Sequence, residues 1–342
     1  MKIGITCNLK DEFSPELILN DEFSEEFDTP GTIEAICSVL KKNGHETVRL
    51  GGDLRIIEKL KAEKVDFVFN IAEGYFGRNR EAHIPSILEM LGVPYSGSDP
   101  LTLSLTLDKI MAKKIAIQAG IPVPRYKEIR TAADLAFAEG RLNYPLIVKP
   151  AWEGSSKGIY DSSRVFDRKS LEISAKILFE RYSNQPVLVE EYIEGREITV
   201  GVIGNEDARI LGLMEVIDRR NPGKDVFYSL ETKRNWKDLV DYVSPPALNR
   251  VFESHIKYRT LTAFREFGCR DFARIDFKVS EKSHKIFMLE INPLPGLSPE
   301  YADLVLMAKA QGVSYEELVM SIFRHAVLRY KETKASPTYE KM

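Results

Sequence analysis

The first hundred residues alternate between two hydrophobic periods. Apolar side chains crowd into short runs in MKIGITC, HETVRL and VDFVFNI, the last nearly continuous. TIEAICSVLKKNGHE, DLRIIEKLKAE and the region of EAHIPSILEMLG instead repeat apolar positions every three or four residues. The short runs read as strands and the longer period as amphipathic helices. A nearly continuous apolar strand fits a parallel sheet covered on both faces. The alternation therefore predicts an open α/β unit, whose ligands gather at the carboxyl ends of its strands.

From Leu107 the rhythm changes. LDKIMAKKIAIQAG reads as helix, and IPVPRYKEI as extended chain because its prolines exclude helix. PLIVKPA reads as a short buried strand, followed by the Gly/Ser stretch WEGSSKG. A helix near KSLEISAKILFERY and a strand PVLVEEYI complete a second unit. Strands EITVGVIG and RILGLMEVI come next, then a polar stretch from about Asp218 to Pro246. That stretch exceeds the usual length of a structureless connection, so it is expected to be a functional lid or a disordered loop. A helix, a hairpin and a C-terminal helical segment close the chain, with KETKASPTYEKM expected to fray.

Composition narrows the classes. A chain of 342 residues calls for two or three domains, and 44% hydrophobic with 29% charged residues is an ordinary globular balance. The formal net charge is −3 and basic residues are dispersed, which predicts no nucleic-acid surface. No apolar stretch approaches the roughly 20 residues that span a bilayer, and the N-terminus reads as a strand rather than a signal peptide. Cys7, Cys37 and Cys269 are scattered, with no CxxC pair, which predicts a reduced, cytoplasmic setting and no structural cysteine metal site. Cys7 reads as a buried strand-end thiol ahead of a nucleophile.

The densest chemistry lies in FARIDFKVS, a polar turn, and KIFMLEIN. Strict alternation turns Ile275, Phe277 and Val279 one way and Arg274, Asp276 and Lys278 the other. In the second strand it sets Phe287, Leu289 and Ile291 against Met288, Glu290 and Asn292. A turn centred on Ser283 places Asp276 opposite Glu290 and Arg274 opposite Asn292. Opposed carboxylates destabilise a sheet unless a cation joins them. Two carboxylates and an amide oxygen suit a hard cation such as magnesium. The competing reading is a solvated outer face partly neutralised by Lys278. The adjoining INPLPG is a rigid exit whose backbone N–H groups can hold an oxyanion.

At these residues the chain resembles D-alanine–D-alanine ligases. RIDF followed by LEINPLPGLSP resembles that family's RID…LLEANTSPGMT. PLIVKPAWEGSSKGI resembles its VKPxxEGSSxGM, VLVEEYIEGREITV its ExxxxGxEFTV, and LTLDKIMAKKI its LSMDKxxxK. The motifs keep the family's order from about Pro94 to the end. The resemblance implies an ATP-grasp fold of the α/β (α+β) class. It has an N-terminal open α/β substrate domain over 1–104, a central subdomain over 105–196 and a C-terminal catalytic subdomain over 197–342. It further implies ATP bound by Lys109, Lys149, Glu190, Glu191, Ile193 and Glu197. Two magnesium ions, with manganese able to substitute, would sit on Asp276, Glu290 and Asn292. Arg274, Ser155, Gly296 and Lys233 are the expected catalytic and closing groups, and the expected partners are small amino-acid or carboxylate substrates, with a homodimer among the possible assemblies.

The N-terminal third departs from the pattern. Where the family carries GGxSxExxVS this chain has ITCNLKDEFS, and the nearest acidic equivalents of the family's Glu are Glu25 and Glu26, ahead of FDTPGTIEAI. Glu73 replaces a family His, LETKRNW replaces a Lys–Tyr lid pair, and Tyr301 falls near a family Ser. Glu26, Glu73 and Tyr301 are therefore the substrate candidates. The expected activity is an ATP-dependent carboxylate–amine ligase acting through an acyl phosphate, with a substrate pair other than two D-alanines. D-alanine–D-alanine ligation for peptidoglycan synthesis is one alternative, and a non-catalytic ATP-binding regulator is the other.

Overall fold

The computed structural model describes residues 1–10, 21–131, 133–135, 140–182, 185–220, 225, 227–280 and 282–334. Three sheets carry the fold. The first is parallel, in the order β2 (Glu46–Arg49), β1 (Lys2–Thr6), β3 (Phe67–Asn70). Its crossovers contain helices α1 (Pro30–Lys42) and α2 (Ile56–Glu63), and helix α3 (His83–Met90) follows β3. All four residues of β3 are buried, as its unbroken apolar run requires. Helix α1 starts with Pro30 in its first turn, where the missing N–H costs nothing, and Gly44 at φ +80° follows its end.

Helix α4 (Pro100–Leu107) is capped by Asp99, which accepts the Thr102 N–H. Asp108 in turn caps α5 (Lys109–Gln118), accepting the Ile110 and Met111 N–H groups. This second cap sets Lys109 at the first position of α5. The second sheet is antiparallel, ordered β4 (Tyr126–Ile129), β7 (Val187–Glu191), β5 (Leu146–Pro150), β6 (Arg164–Val165). The helix Arg168–Arg181 packs on it through Leu171, Ala175 and Leu178.

The third sheet is antiparallel, ordered β10 (Val240–Val243), β9 (Arg209–Asp218), β8 (Arg196–Ile203), β11 (Phe272–Ser280), β12 (Lys285–Asn292). The helix Arg250–Glu266 covers one face through Ile256, Ala263 and Phe264. On the other side Leu211 and Met214 of β9 join a core with Ile3, Ile5 and Phe69 of the first sheet. Met307 and Phe323, from the helices Asp303–Ala310 and Tyr315–Lys334, lie in the same core. The last helices thus pack between sequence-distant sheets.

Two expectations require correction. The stretch from Asp218 to Pro246 is not a structureless loop. Ser229 caps a short helix, Leu230–Arg234, a second turn spans Trp236–Leu239, and Val240–Val243 pairs with β9. Residues 221–224 and 226 lie outside the described residues. The second half of the β11–β12 hairpin does not alternate strictly either. A bulge between Asp276 and Phe277 shifts the pairing, so Phe277 faces Met288. The buried residues of β12 are therefore Ile286, Met288 and Ile291, in place of Phe287, Leu289 and Ile291. At the C-terminus, helix persists through Lys334, into the segment expected to fray, and 335–342 lie outside the described residues.

Candidate active site

A cavity of about 530 Å³ is walled by loops of the first sheet and by the inner faces of the other two. Every candidate from the sequence lines it: Arg274, Ser155, Gly296, Lys233, Lys109, Lys149, Glu190, Glu191, Ile193, Glu197, Asp276, Glu290, Asn292, Glu26, Glu73 and Tyr301. Lining alone does not give these residues the same role, because their partners differ.

The β11–β12 hairpin has the register expected at its open end, with Asp276 opposite Glu290 and Arg274 opposite Asn292. The bulge turns both Leu289 and Glu290 to the cavity, adding an apolar patch beside the carboxylates. Arg274 bridges the acids: Nη2 donates to Asp276 at 2.8 Å and lies 3.4 Å from Glu290, while Nη1 reaches Asp303 at 3.1 Å. Burial, with Glu290 opposite, pushes the Asp276 carboxyl up to about 7 despite Arg274. Burial acts on Glu290 too, but Lys109, Arg274 and Lys149 overcome it and hold that carboxyl at about 2. Negative charge is under-compensated at Asp276. No three of the described His, Cys, Asp and Glu side chains cluster as a metal site, so the third donor must be the Asn292 amide. Its Oδ1 accepts one bond, from the Leu294 N–H at 2.9 Å, and retains a second lone pair. Two carboxylates and an amide oxygen fit magnesium.

Lys278 does not neutralise this pair, contrary to the sequence reading. Its ammonium lies 3.4 Å from Glu197 and 3.3 Å from Asp225, and donates to the Gly195 carbonyl at 3.2 Å. Burial pushes the Glu197 carboxyl up against the pull of Lys278.

On the second sheet, Lys149 of β5 is held by Glu190 of β7 at 2.5 Å. The other Glu190 oxygen is ion-paired to Lys113 of α5 at 2.6 Å. Although burial opposes ionisation, Lys113 and Lys149 hold the Glu190 carboxyl at about 2. Glu190 thus orients Lys149 rather than presenting a free acceptor. The Glu191 carboxylate accepts from Asn143 at 2.9 Å and pairs with Arg125 at 3.2 Å. Lys109 lies 3.6 Å from Glu290 and donates to the Glu153 carbonyl.

The Gly/Ser segment is anchored by the loop after residue 20. Glu26, with its side chain 4% exposed, accepts from Arg80 at 2.8 Å, Lys157 at 2.8 Å and the Gly154 N–H at 2.7 Å. Burial disfavours its charge, but Arg80 and Lys157 hold the carboxyl well below its ordinary range. Glu22 accepts from the Gly158 N–H at 2.8 Å and from the Tyr160 and Tyr182 hydroxyls, each at 2.6 Å. Gly158 has φ +71°, and a Cβ there would stand 2.7 Å from the Pro150 ring. Ser155 and Ser156 adopt φ +53° and +59°, uncommon for non-glycine residues. Across the cavity, Arg234 pairs with Glu25 at 2.7 Å, and Trp236 lies 6.2 Å from the Tyr301 ring. Burial and nearby Arg274 lower the Lys233 ammonium to about 8.

Sequence reasoning missed Arg80, Lys157, Lys113, Glu22, Asp28 and Glu81. The i,i+4 spacings of Glu153 with Lys157, paired at 2.6 Å, and of Asp28 with Thr32 were the local signals. Arg80, Lys113 and Glu22 meet partners scores of residues away.

The family described as D-ala D-ala ligase C-terminus matches residues 115–324. A D-alanine–D-alanine ligase of Desulforudis audaxviator is 35% identical over 297 residues, covering 85% of this chain and 91% of that one. One from Carboxydothermus hydrogenoformans is 33% identical over 332 residues, covering 94% and 97%. The crystal structure of the Bacillus anthracis D-alanine–D-alanine ligase complexed with ATP superposes with a TM-score of 0.74 at 25% identity, covering 97% of this chain and 99% of that one. With motifs, sheets and cavity in accord, the chain belongs to the D-alanine–D-alanine ligase family, ATP-dependent carbon–nitrogen ligases of the ATP-grasp fold.

Proposed function

We propose that this protein activates a carboxylate with ATP as an acyl phosphate and joins it to an amine, releasing ADP and phosphate. The observation that carries the reading is convergence on one cavity. Opposed Asp276 and Glu290 lie there with Arg274 between them and with Lys109 and Lys149 close by. Lys149, aimed by Glu190, and Lys109 hold the phosphates as point charges. Ile193, Glu191 and Glu197 line the nucleoside end, and a carboxylate at Glu197 suits ribose hydroxyls. Magnesium on Asp276, Glu290 and Asn292 would neutralise charge on the transferring phosphoryl group. Arg274 and the Gly296 N–H stabilise the oxyanion when the amine attacks. The Ser155 segment and the Lys233 helix exclude water, which would otherwise hydrolyse the acyl phosphate.

Condensation of two D-alanines is the substrate reading that the relatives support, through their names and their coverage of 85% and 94% of the chain. It takes precedence over the different pair expected from the sequence. A mixed pair stays as the second reading because Glu73 and Tyr301 line the cavity where the family motif carries His and Ser. ADP release with D-alanine alone, beside a panel of paired amino acids, tests both. Saturable release with D-alanine supports the first reading. Release only with other pairs supports the second, and none with any pair returns the chain to a nucleotide-binding regulator.

A further inference from the structure

The acids of the substrate wall are not equally compensated. Glu26 has Arg80 and Lys157, and Glu25 has Arg234. Asp28 has the Thr32 hydroxyl and lies near Lys10. Glu73 and Glu81 line the same cavity and make no hydrogen bond or ion pair among the described residues. Glu81 is only 8% exposed, yet it faces the cavity without a donor. A buried carboxyl left unbonded is costly, so such a group in a cleft marks a place where a ligand supplies the donor. Burial pushes both carboxyls up; the charge of Glu81 raises Glu73 further, and burial with the charge of Glu26 brings Glu81 to about 7 against the pull of Arg80, Lys109 and Lys157.

A neutral amino acid brings one ammonium and one carboxylate. Its ammonium can satisfy one of the two acids, and its carboxylate is drawn to Lys233 and Arg274, leaving the second acid bare. We infer that Glu73 and Glu81 form a cation subsite, which takes an ammonium on a short substrate side chain beside the α-ammonium. The inference rests on the ligase reading in its mixed-pair form: one of the two amino acids joined is a diamino acid. The α-ammonium and the side-chain ammonium would each face one carboxylate, an arrangement two alanines cannot supply.

The test compares D-2,4-diaminobutyrate with D-norvaline, matched in size and differing by one ammonium, each offered with D-alanine. ADP release measures turnover. Calorimetry with a non-hydrolysable ATP analogue and magnesium measures binding without turnover. The diamino acid is expected to bind and turn over at least about tenfold better than norvaline, the effect of one charge-assisted hydrogen bond. In Glu81→Gln the ratio between them should fall to within about threefold. Equal binding of the two by the unaltered protein overturns the subsite, and ADP release from alanine and norvaline alike then leaves the ligase standing. No ADP from any pair, with preferential binding of the diamino acid, removes the ligase and keeps the subsite. A preference that survives Glu81→Gln unchanged, and Glu73→Gln likewise, overturns the assignment to these residues.

Discussion

Replacing Glu190 by glutamine keeps the side-chain shape and removes the single negative charge between Lys113 and Lys149. All three are buried, Glu190 at 2% and Lys113 at 1% side-chain exposure, so water replaces little of the lost pairing. The two lysines hold the Glu190 carboxyl at about 2, against an ordinary 4.5. At about 1.4 kcal/mol per pH unit, that corresponds to about 3 kcal/mol of stability at neutral pH. Breaking a buried pair by removing one partner typically costs about 3–5 kcal/mol, an independent route to a similar figure. Burial already lowers the Lys113 ammonium, so it can shed its proton in the variant, which bounds the penalty. At about 2–4 °C per kcal/mol, Tm should fall by roughly 6–12 °C at pH 7. The carboxyl is depressed in the folded state, so its contribution is complete above the unfolded value of 4.5 and disappears as pH falls towards 2. Thermal unfolding of both proteins at pH 7, 5 and 3 should therefore show a gap that narrows below pH 4.5. A Tm within about 1 °C of the parent at pH 7, or a gap as wide at pH 3 as at pH 7, would refute the reasoning.

Lys149→Ala should raise the KM for ATP by roughly 10- to 100-fold, the loss of one charge-assisted bond to phosphate, with a much smaller change for the amino acids. A defect confined to amino-acid binding contradicts the role. Glu290→Gln should abolish turnover with a smaller loss of stability than Glu190→Gln, because the Glu290 side chain is 35% exposed and solvent screens its pairing; retained activity means the site is elsewhere. ATP binding measured by calorimetry should weaken sharply in chelator, and equal affinity with and without magnesium removes the metal reading. Burial and Arg274 bring the Lys233 ammonium to about 8, so kcat/KM should decline as pH rises through that value. Lys233→Arg should move the decline to higher pH, and an unmoved profile assigns it to another group.

Much of the site was legible because its logic is local. A period of two along β11 and β12, with a short polar turn, sufficed to oppose Asp276 and Glu290. The bulge was not legible, since the alternation of Leu289 and Ile291 is continuous in the sequence and the slip depends on pairing across the ladder. Lys149 stood out at the end of an apolar strand, but its aim depends on Glu190, 41 residues away, and on Lys113. Glu26 illustrates the limit most clearly. Its place as the nearest acidic equivalent of the family motif's Glu suggested a substrate ligand, whereas Arg80 and Lys157, 54 and 131 residues away, occupy its carboxylate.

The sequence by itself determined the alternation of strands and helices, the register at the open end of the hairpin and the motif order that marks the family. The elements, the register and each single motif depend on spacings within about twenty residues, which periodicity and backbone chemistry govern directly. The tertiary structure alone decided which charges are compensated and which remain open to a ligand. Burial strengthens electrostatic pairing and penalises an unpaired charge, so a carboxylate's role depends on the cation that reaches it through the fold. Glu26 and Glu81 are both glutamates near the same cavity. One is spent on an arginine and a lysine, and the other faces the substrate space without a partner among the described residues.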